Sequence, residues 1–203
     1  MKKMILLGAL MTLCTAAVGH AQESRQDASV SLTGVFAPAV YGLDIHPMTT
    51  TTTGGLLASY RYMLTPRSEV EANYTYSQNS LKFNAISAPN TRVHTREEEV
   101  SFAYVYQRTY KRFNPFAEGG VGVVWFIPIL DNGSTQLSFK QSLQIGGLFG
   151  AGVAYELSPS FDIRAEYRGF MMRSPTMGDP SGLTQTNRYY ILMTPSLGVA
   201  YHF

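Results

Sequence analysis

Apolar and polar residues alternate along this chain with a period of two, in segments of roughly ten residues. Between residues 69 and 77, Val70, Ala72, Tyr74 and Tyr76 share one face, while Glu69, Glu71, Asn73, Thr75 and Ser77 share the other. Val100, Phe102, Tyr104 and Tyr106 alternate in the same way with Glu99, Ser101, Ala103 and Val105. Phe161, Ile163, Ala165 and Tyr167 alternate with Asp162, Arg164, Glu166 and Arg168. The last segment sets Tyr189, Ile191, Met193, Leu197, Val199, Tyr201 and Phe203 against Tyr190, Thr194, Ser196, Gly198 and His202. Weaker versions run over residues 29–36, 55–64, 116–125 and 143–157, the third glycine-rich with Glu118 on its minor face. The pattern predicts eight strands. Beyond residue 22 no apolar run reaches the length that a membrane helix needs.

The predicted connections alternate in length. Thr65-Pro66-Arg67-Ser68 and Leu157-Ser158-Pro159-Ser160 read as tight turns, and 107–114 as a slightly longer one. Residues 41–53, 79–96, 127–141 and 171–187 read as long polar loops. Short turns on one rim and long loops on the other suit a transmembrane barrel, with both termini on the short-turn, periplasmic side.

Alternation alone does not say which face is inside. The content of the faces does. Glu69, Glu71, Glu99, Glu118, Glu156, Asp162, Arg164, Glu166 and Arg168 fall among Gly, Ser, Ala and Thr, and the opposite faces are apolar. Eight clean apolar faces in water would make a large sticky surface. In lipid they are required, because the outer wall must be apolar and every backbone group must pair within a closed sheet. Aromatics also gather at both ends of the apolar faces. Tyr60, Tyr62, Tyr104, Tyr106, Tyr155, Phe161, Tyr201 and Phe203 group near the short-turn rim. Phe36, Tyr74, Tyr76, Trp125, Tyr167 and Tyr189 group toward the other. The expected fold is therefore all-β: an eight-stranded antiparallel up-and-down transmembrane barrel in the cell outer membrane.

Charged residues make up only 15% of the chain. Lys2 and Lys3, then an apolar run to Val18, then Gly19-His20-Ala21, form a signal peptide over 1–21, which leaves 22–203 as the barrel domain. The single cysteine, Cys14, lies in the apolar run, and Leu13 before it does not suit a lipoprotein site. Cleavage removes two of the charges behind the formal +2 and leaves no basic excess to attract nucleic acid.

Ser196, Gly198, Tyr201 and the terminal Phe203 have the spacing of a C-terminal outer-membrane assembly signal, which makes the assembly machinery an expected partner. The stretches 114–122, 150–157, 164–168 and this closing strand resemble the OmpA-like eight-stranded barrel superfamily, including the opacity-type outer membrane proteins. The resemblance implies a barrel that anchors, stabilises or displays loops rather than one that catalyses. The peptidoglycan-binding domain of some such proteins is not expected here.

An eight-stranded interior is just wide enough for its side chains to fill. The inward charges Arg61, Glu71, Glu118, Glu156, Asp162, Arg164, Glu166 and Arg168 are therefore expected to pair into a plug, with Arg61 opposite Glu71 and inward glycines giving the long side chains room. No catalytic set, metal site or cofactor is expected. His46 and His94 read as solvated loop residues, His202 lies at the short-turn rim, and no phosphate-binding glycine loop opens a helix. The expected role is structural or surface display, with outer membrane lipid and lipopolysaccharide as surroundings. Loops such as 49–53 and 175–180 are polar and suit either contact with a host surface, a phage or lipopolysaccharide as an extracellular partner, or a role as solvated covers alone. The alternatives are a narrow channel for small or hydrophobic solutes and a lipid A-modifying enzyme.

Overall fold

The computed structural model describes residues 25–41, 47–83, 91–130, 140–177 and 188–203. Residues 1–21, where a signal peptide is expected, His46 and residues 178–180 of the last loop lie outside them. The described chain forms β1 (Gln26–Val35), β2 (Val40–Tyr41), β3 (Pro47–Thr50), β4 (Thr53–Thr65), β5 (Ser68–Phe83), β6 (Thr91–Gln107), β7 (Phe113–Ile129), β8 (Ser142–Ser158), β9 (Phe161–Arg173) and β10 (Tyr189–His202). Successive long strands pair antiparallel, and β1 joins β10 on one side and β4 on the other. The β5–β6 pairing closes the sheet into a barrel of eight strands. Closure removes the edges of the eight-stranded wall, so its backbone groups pair within the sheet rather than facing lipid unpaired.

Local chemistry fixes the short rim. Pro66-Arg67 joins β4 to β5, and Pro159-Ser160 joins β8 to β9. Proline presets φ for the first corner of a type I or II turn. Such turns twist against their strands, and the register shifts beside each one, between Met63 and Thr65 and between Glu156 and Ser158. Between β6 and β7, Lys111 takes a φ of 58° to complete a turn closed by the Tyr110–Phe113 bridge.

Through the middle of the wall the faces are those the alternation assigns. Val30, Leu32, Phe102, Val121, Ile145, Tyr167 and Leu197 are exposed on the outside. Ser31, Glu71, Glu99, Glu118, Arg168 and Ser196 are buried within. Aromatic pairs ring the short-turn rim, with ring centroids 5.1 Å apart for Phe161–Tyr201 and 4.9 Å for Phe113–Tyr155. At the other rim Phe36 meets Tyr167 at 6.5 Å.

The strands differ in length from the expectation. β5, β6 and β7 run on through much of what reads as loop: 79–83 and 91–96 are strand, as are 127–129. Within 41–53, β2 and β3 form a small hairpin whose β3 pairs with the upper end of β5, Thr49 against Lys82. One side of the wall thus rises above the level where β1 ends. The extensions of β5 and β6 keep the alternation, but their apolar residues Leu81 and Val93 point inward, and 126–129 of β7 are buried without alternation, so a search for outward apolar faces passes over them.

Candidate functional site

The lumen is where the chain concentrates its ionisable side chains, and its contents change with height. Near the short-turn rim each guanidinium reaches acids on other strands. Arg61 on β4 lies 2.9 Å from Glu71, its cross-strand neighbour on β5, 3.8 Å from Glu69 and 3.7 Å from Glu166. Arg168 on β9 lies 2.8 Å from Glu99, 3.4 Å from Glu118 and 3.8 Å from Glu166. Arg168 also donates to Ser101 at 3.3 Å. Arg164 turns toward β1 instead, donating to both carboxylate oxygens of Asp27 at 3.1 and 3.2 Å. The ring of Phe116 lies between cations, 4.3 Å from the Arg61 guanidinium and 6.0 Å from that of Arg164.

Inward glycines give this network its space. A Cβ at Gly150 would strike the Glu118 carboxylate, and one at Gly152 would stand 2.5 Å from the Phe116 ring. Gly198 is required for a similar reason: a Cβ there would collide with Ser31 on β1. That packing demand on Gly198 exists whether or not the residue also serves assembly.

Several members of the network were not singled out by the sequence. Asp27 precedes the strand start assigned there, although it is in phase with Ser29, Ser31 and Thr33. Glu69 and Glu99 fall on the inner face of the alternation, which names no partner for them, and Phe116 breaks the polar pattern of that face. Asp162 lies 3.0 Å from His202 rather than beside an arginine. Glu156 stands at the rim, in an open vestibule of about 520 Å³ that Asp27, Arg61, Arg164 and His202 also line. No arginine or lysine among the described residues comes within ion-pair distance of its carboxylate.

Midway up, Glu97 is buried without a guanidinium partner and accepts hydrogen bonds from Asn79 Nδ2 at 2.8 Å and Ser77 Oγ at 3.4 Å. Above it, beyond the buried Asn79 and Thr95, the interior turns apolar. Val35, Met48, Leu81, Val93, Phe126, Phe170, Met172 and Met177 pack into one cluster, none more than 1% exposed. Among the described residues the buried interior holds eight carboxylates, Asp27, Glu69, Glu71, Glu97, Glu99, Glu118, Asp162 and Glu166, against three guanidiniums, Arg61, Arg164 and Arg168. The pairing expected from the sequence is therefore real but unequal: each arginine serves one or more acids.

His94 departs from the loop reading. It lies on β6, half-buried, with Nδ1 2.9 Å from Ser80 Oγ on β5. No group of three or more metal-ligating side chains gathers among the described residues.

A model of the outer membrane protein β-barrel domain matches residues 5–203 of the chain. Among solved structures, the outer membrane protein OprG from Pseudomonas aeruginosa aligns with a TM-score of 0.59 at 14% identity, over 90% of this chain and 97% of that one. Neisserial surface protein A aligns with a TM-score of 0.56 at 17% identity, over 89% and 98%. The N-terminal β-barrel domain of Pseudomonas aeruginosa OprF aligns at 0.51 and 16%, over 90% and 100%. At such identities the likeness is one of fold. No curated protein matches the chain by sequence.

Proposed function

This chain belongs to the outer membrane protein β-barrel domain family and lies in the cell outer membrane, and from that premise we propose that it is a closed, non-enzymatic scaffold that displays its long loops outside the cell. The carrying observation is the filled lumen. Charged side chains cross-link β1, β4, β5, β6, β7 and β9 in its lower part, and an apolar cluster occupies its upper part. Among the described residues that cluster sets buried apolar side chains in the way of ions, and hydrophobic solutes meet buried charge beneath it. Planar-bilayer recording on purified protein tests this. The expected trace is silent, and steady ion-passing openings of the monomer would overturn the closed lumen in favour of the narrow channel.

The enzymatic alternative has one observation in its favour, the contact between Ser80 and His94 near the outer rim. Against it, Ser80 is 3% exposed, and its hydroxyl also accepts from Arg92 Nη2 at 3.1 Å. A nucleophile has to meet its substrate, and a hydroxyl held on two sides under the strand surface is not free to do so. Ser80→Ala should leave lipid A acylation unchanged when expressed in place of the native chain. A change in acylation that depends on Ser80 would establish the enzyme instead.

Assembly through the C-terminal strand belongs to the same reading. Tyr201 and Phe203 face outward at the end of β10, where the last pair of the β1–β10 seam forms. Removing Phe203 should slow appearance of the heat-modifiable form in an assembly assay. An unchanged rate would separate this end from recognition by the machinery.

A further inference from the structure

The outward face of the β5–β6 ribbon changes character above Tyr76. Below, it carries Val70, Tyr74, Val100, Phe102 and Tyr104. Above, it carries Gln78, Ser80 and Lys82 on β5, facing Arg96, His94 and Arg92 on β6 in that register. Lys82 and Arg92 are thus directly opposite each other, and both are exposed. Like charges in that position repel. The described carboxylate on this face, Glu98, is engaged by Arg96 at 2.9 Å and does not relieve them. Arg92 is also held in place: its Nη2 donates to Ser80 Oγ, and the Ser80 backbone N–H donates to Thr51 Oγ1 at 2.9 Å. Arg92, fixed at the surface, and Lys82 opposite it, with no acid among the described residues between them, form an anion site.

We propose that this basic ladder binds phosphate groups of lipopolysaccharide in the outer leaflet. Its position selects the ligand. From Gln78 to Lys82 the strand climbs about 13 Å at roughly 3.3 Å per residue, starting where the apolar band ends at Tyr76. A lipid whose acyl chains lie against Phe102 and Tyr74 would bring its headgroup to the ladder, whereas a soluble polyanion would gain nothing from the wall below. An arginine fork and a lysine ammonium together suit a phosphate, one by paired hydrogen bonds and the other as a point charge. The near-zero charge expected of the mature chain conceals the arrangement, because the carboxylate excess is buried in the lumen and the bases stand at the rims.

The test uses mature protein refolded in detergent, titrated with purified lipopolysaccharide and with the same material after chemical removal of its phosphates. The wild type should prefer the phosphorylated form by about tenfold or more, the scale set by two cations near an anionic headgroup. The Lys82→Gln/Arg92→Gln double variant should lose that preference, and Arg67→Gln/Arg108→Gln at the opposite rim should keep it. Lys82→Arg/Arg92→Lys retains both charges and should bind as the wild type does, which guards against a misfolded double variant. Unboiled gel mobility checks folding in each case. Equal affinity for the two lipopolysaccharides, or a preference that survives in the double variant, would overturn the proposal. Equally tight, ladder-dependent binding of a soluble sulfated oligosaccharide would also overturn it, reassigning the site to a polyanion outside the membrane.

Discussion

On the lower part of β5, Glu69 and Glu71 point into the barrel while Val70 and Tyr74 face out; on its upper part, Leu81 points in and Lys82 faces out. β6 repeats the exchange, with Glu99 inside and Phe102 outside below, Val93 inside and Arg92 outside above. The alternation keeps its phase along both strands, and only its polarity reverses. The physical cause is the medium beyond the wall. Where the wall meets lipid, an apolar outer face is obligatory and the interior takes the polar side chains. Where it meets water, the outer face becomes polar and the interior packs like the core of a soluble protein. One pair of strands thus crosses from one solvent to another. The two halves of the lumen are consequently held by different forces, charge pairing below and apolar packing above, and the difference is measurable.

The largest effect is expected below. Arg168 is 1% exposed and serves Glu99, Glu118 and Glu166. Arg168→Ala would leave buried carboxylates without their cation, a change that typically costs about 3–5 kcal/mol. Protonation would remove the orphaned charge, so the loss should shrink as pH falls. Thermal unfolding of detergent-refolded protein at neutral and acidic pH measures both. A variant as stable as the wild type at neutral pH would mean that water, rather than Arg168, solvates these acids.

Above, Leu81→Ala removes a fully buried side chain from the cluster with Met48, Val93 and Phe126. Loss of transfer energy and the cavity left behind together cost about 2–5 kcal/mol at such sites. No ionisable group is involved, so the loss should be nearly the same at both pH values. The pair of variants then separates the two halves by their pH dependence. A Leu81→Ala loss that varied with pH as strongly as that of Arg168→Ala would show the halves to be one coupled unit.

The same reversal explains how much of the molecule could be read from its sequence. In the lipid zone the signal is redundant, because Val70, Tyr74, Phe102, Ile163 and Leu197 each mark an outward position and their neighbours mark the inside. The eight strands, the tight turns at Pro66 and Pro159 and the Arg61–Glu71 pair follow from that. Above the lipid the outward residues are Ser80, Lys82, Arg92 and His94, the composition of a loop, and the strand shows only through Leu81 and Val93. Partnership within the lumen was less legible still. Period two says that Arg164 faces in, but the choice of Asp27 over Glu166 or Glu118 depends on side-chain reach across a closed barrel, which no single strand records.

A third variant probes the outer boundary of the lower zone. Phe102 is 64% exposed on the middle of the wall, between Ala72 and Val121. Arginine at a lipid-facing midplane position costs about 2–4 kcal/mol, so Phe102→Arg should lower stability by that order and reduce the folded fraction in vesicles. Native cations already stand outward at Lys82 and Arg92, higher on the same ribbon. Full tolerance of Phe102→Arg would place the lipid zone elsewhere and remove the basis for the reversal.

The smallest effect, and the one whose sign is most informative, belongs to Glu156. Its cross-strand partner on β9 is another acid, Asp162, and both point inward at the vestibule. Asp162 is engaged by His202 at 3.0 Å, whereas Glu156 is half-buried without a cation within ion-pair distance among the described residues. Like charges directly opposite on one face are unfavourable by roughly 0.2–1 kcal/mol, and a mouth open to solvent screens them toward the lower end of that range. Glu156→Gln keeps the shape and removes the repulsion. It should therefore be neutral or stabilise the barrel by a few tenths of a kcal/mol on that scale, with the gain fading in high salt. Chemical unfolding in a dilute and a concentrated salt buffer resolves the difference. A loss above about 1 kcal/mol, more than an exposed pair normally supplies, would show that Glu156 does hold a cation and that the charge network extends into the vestibule at the short-turn rim.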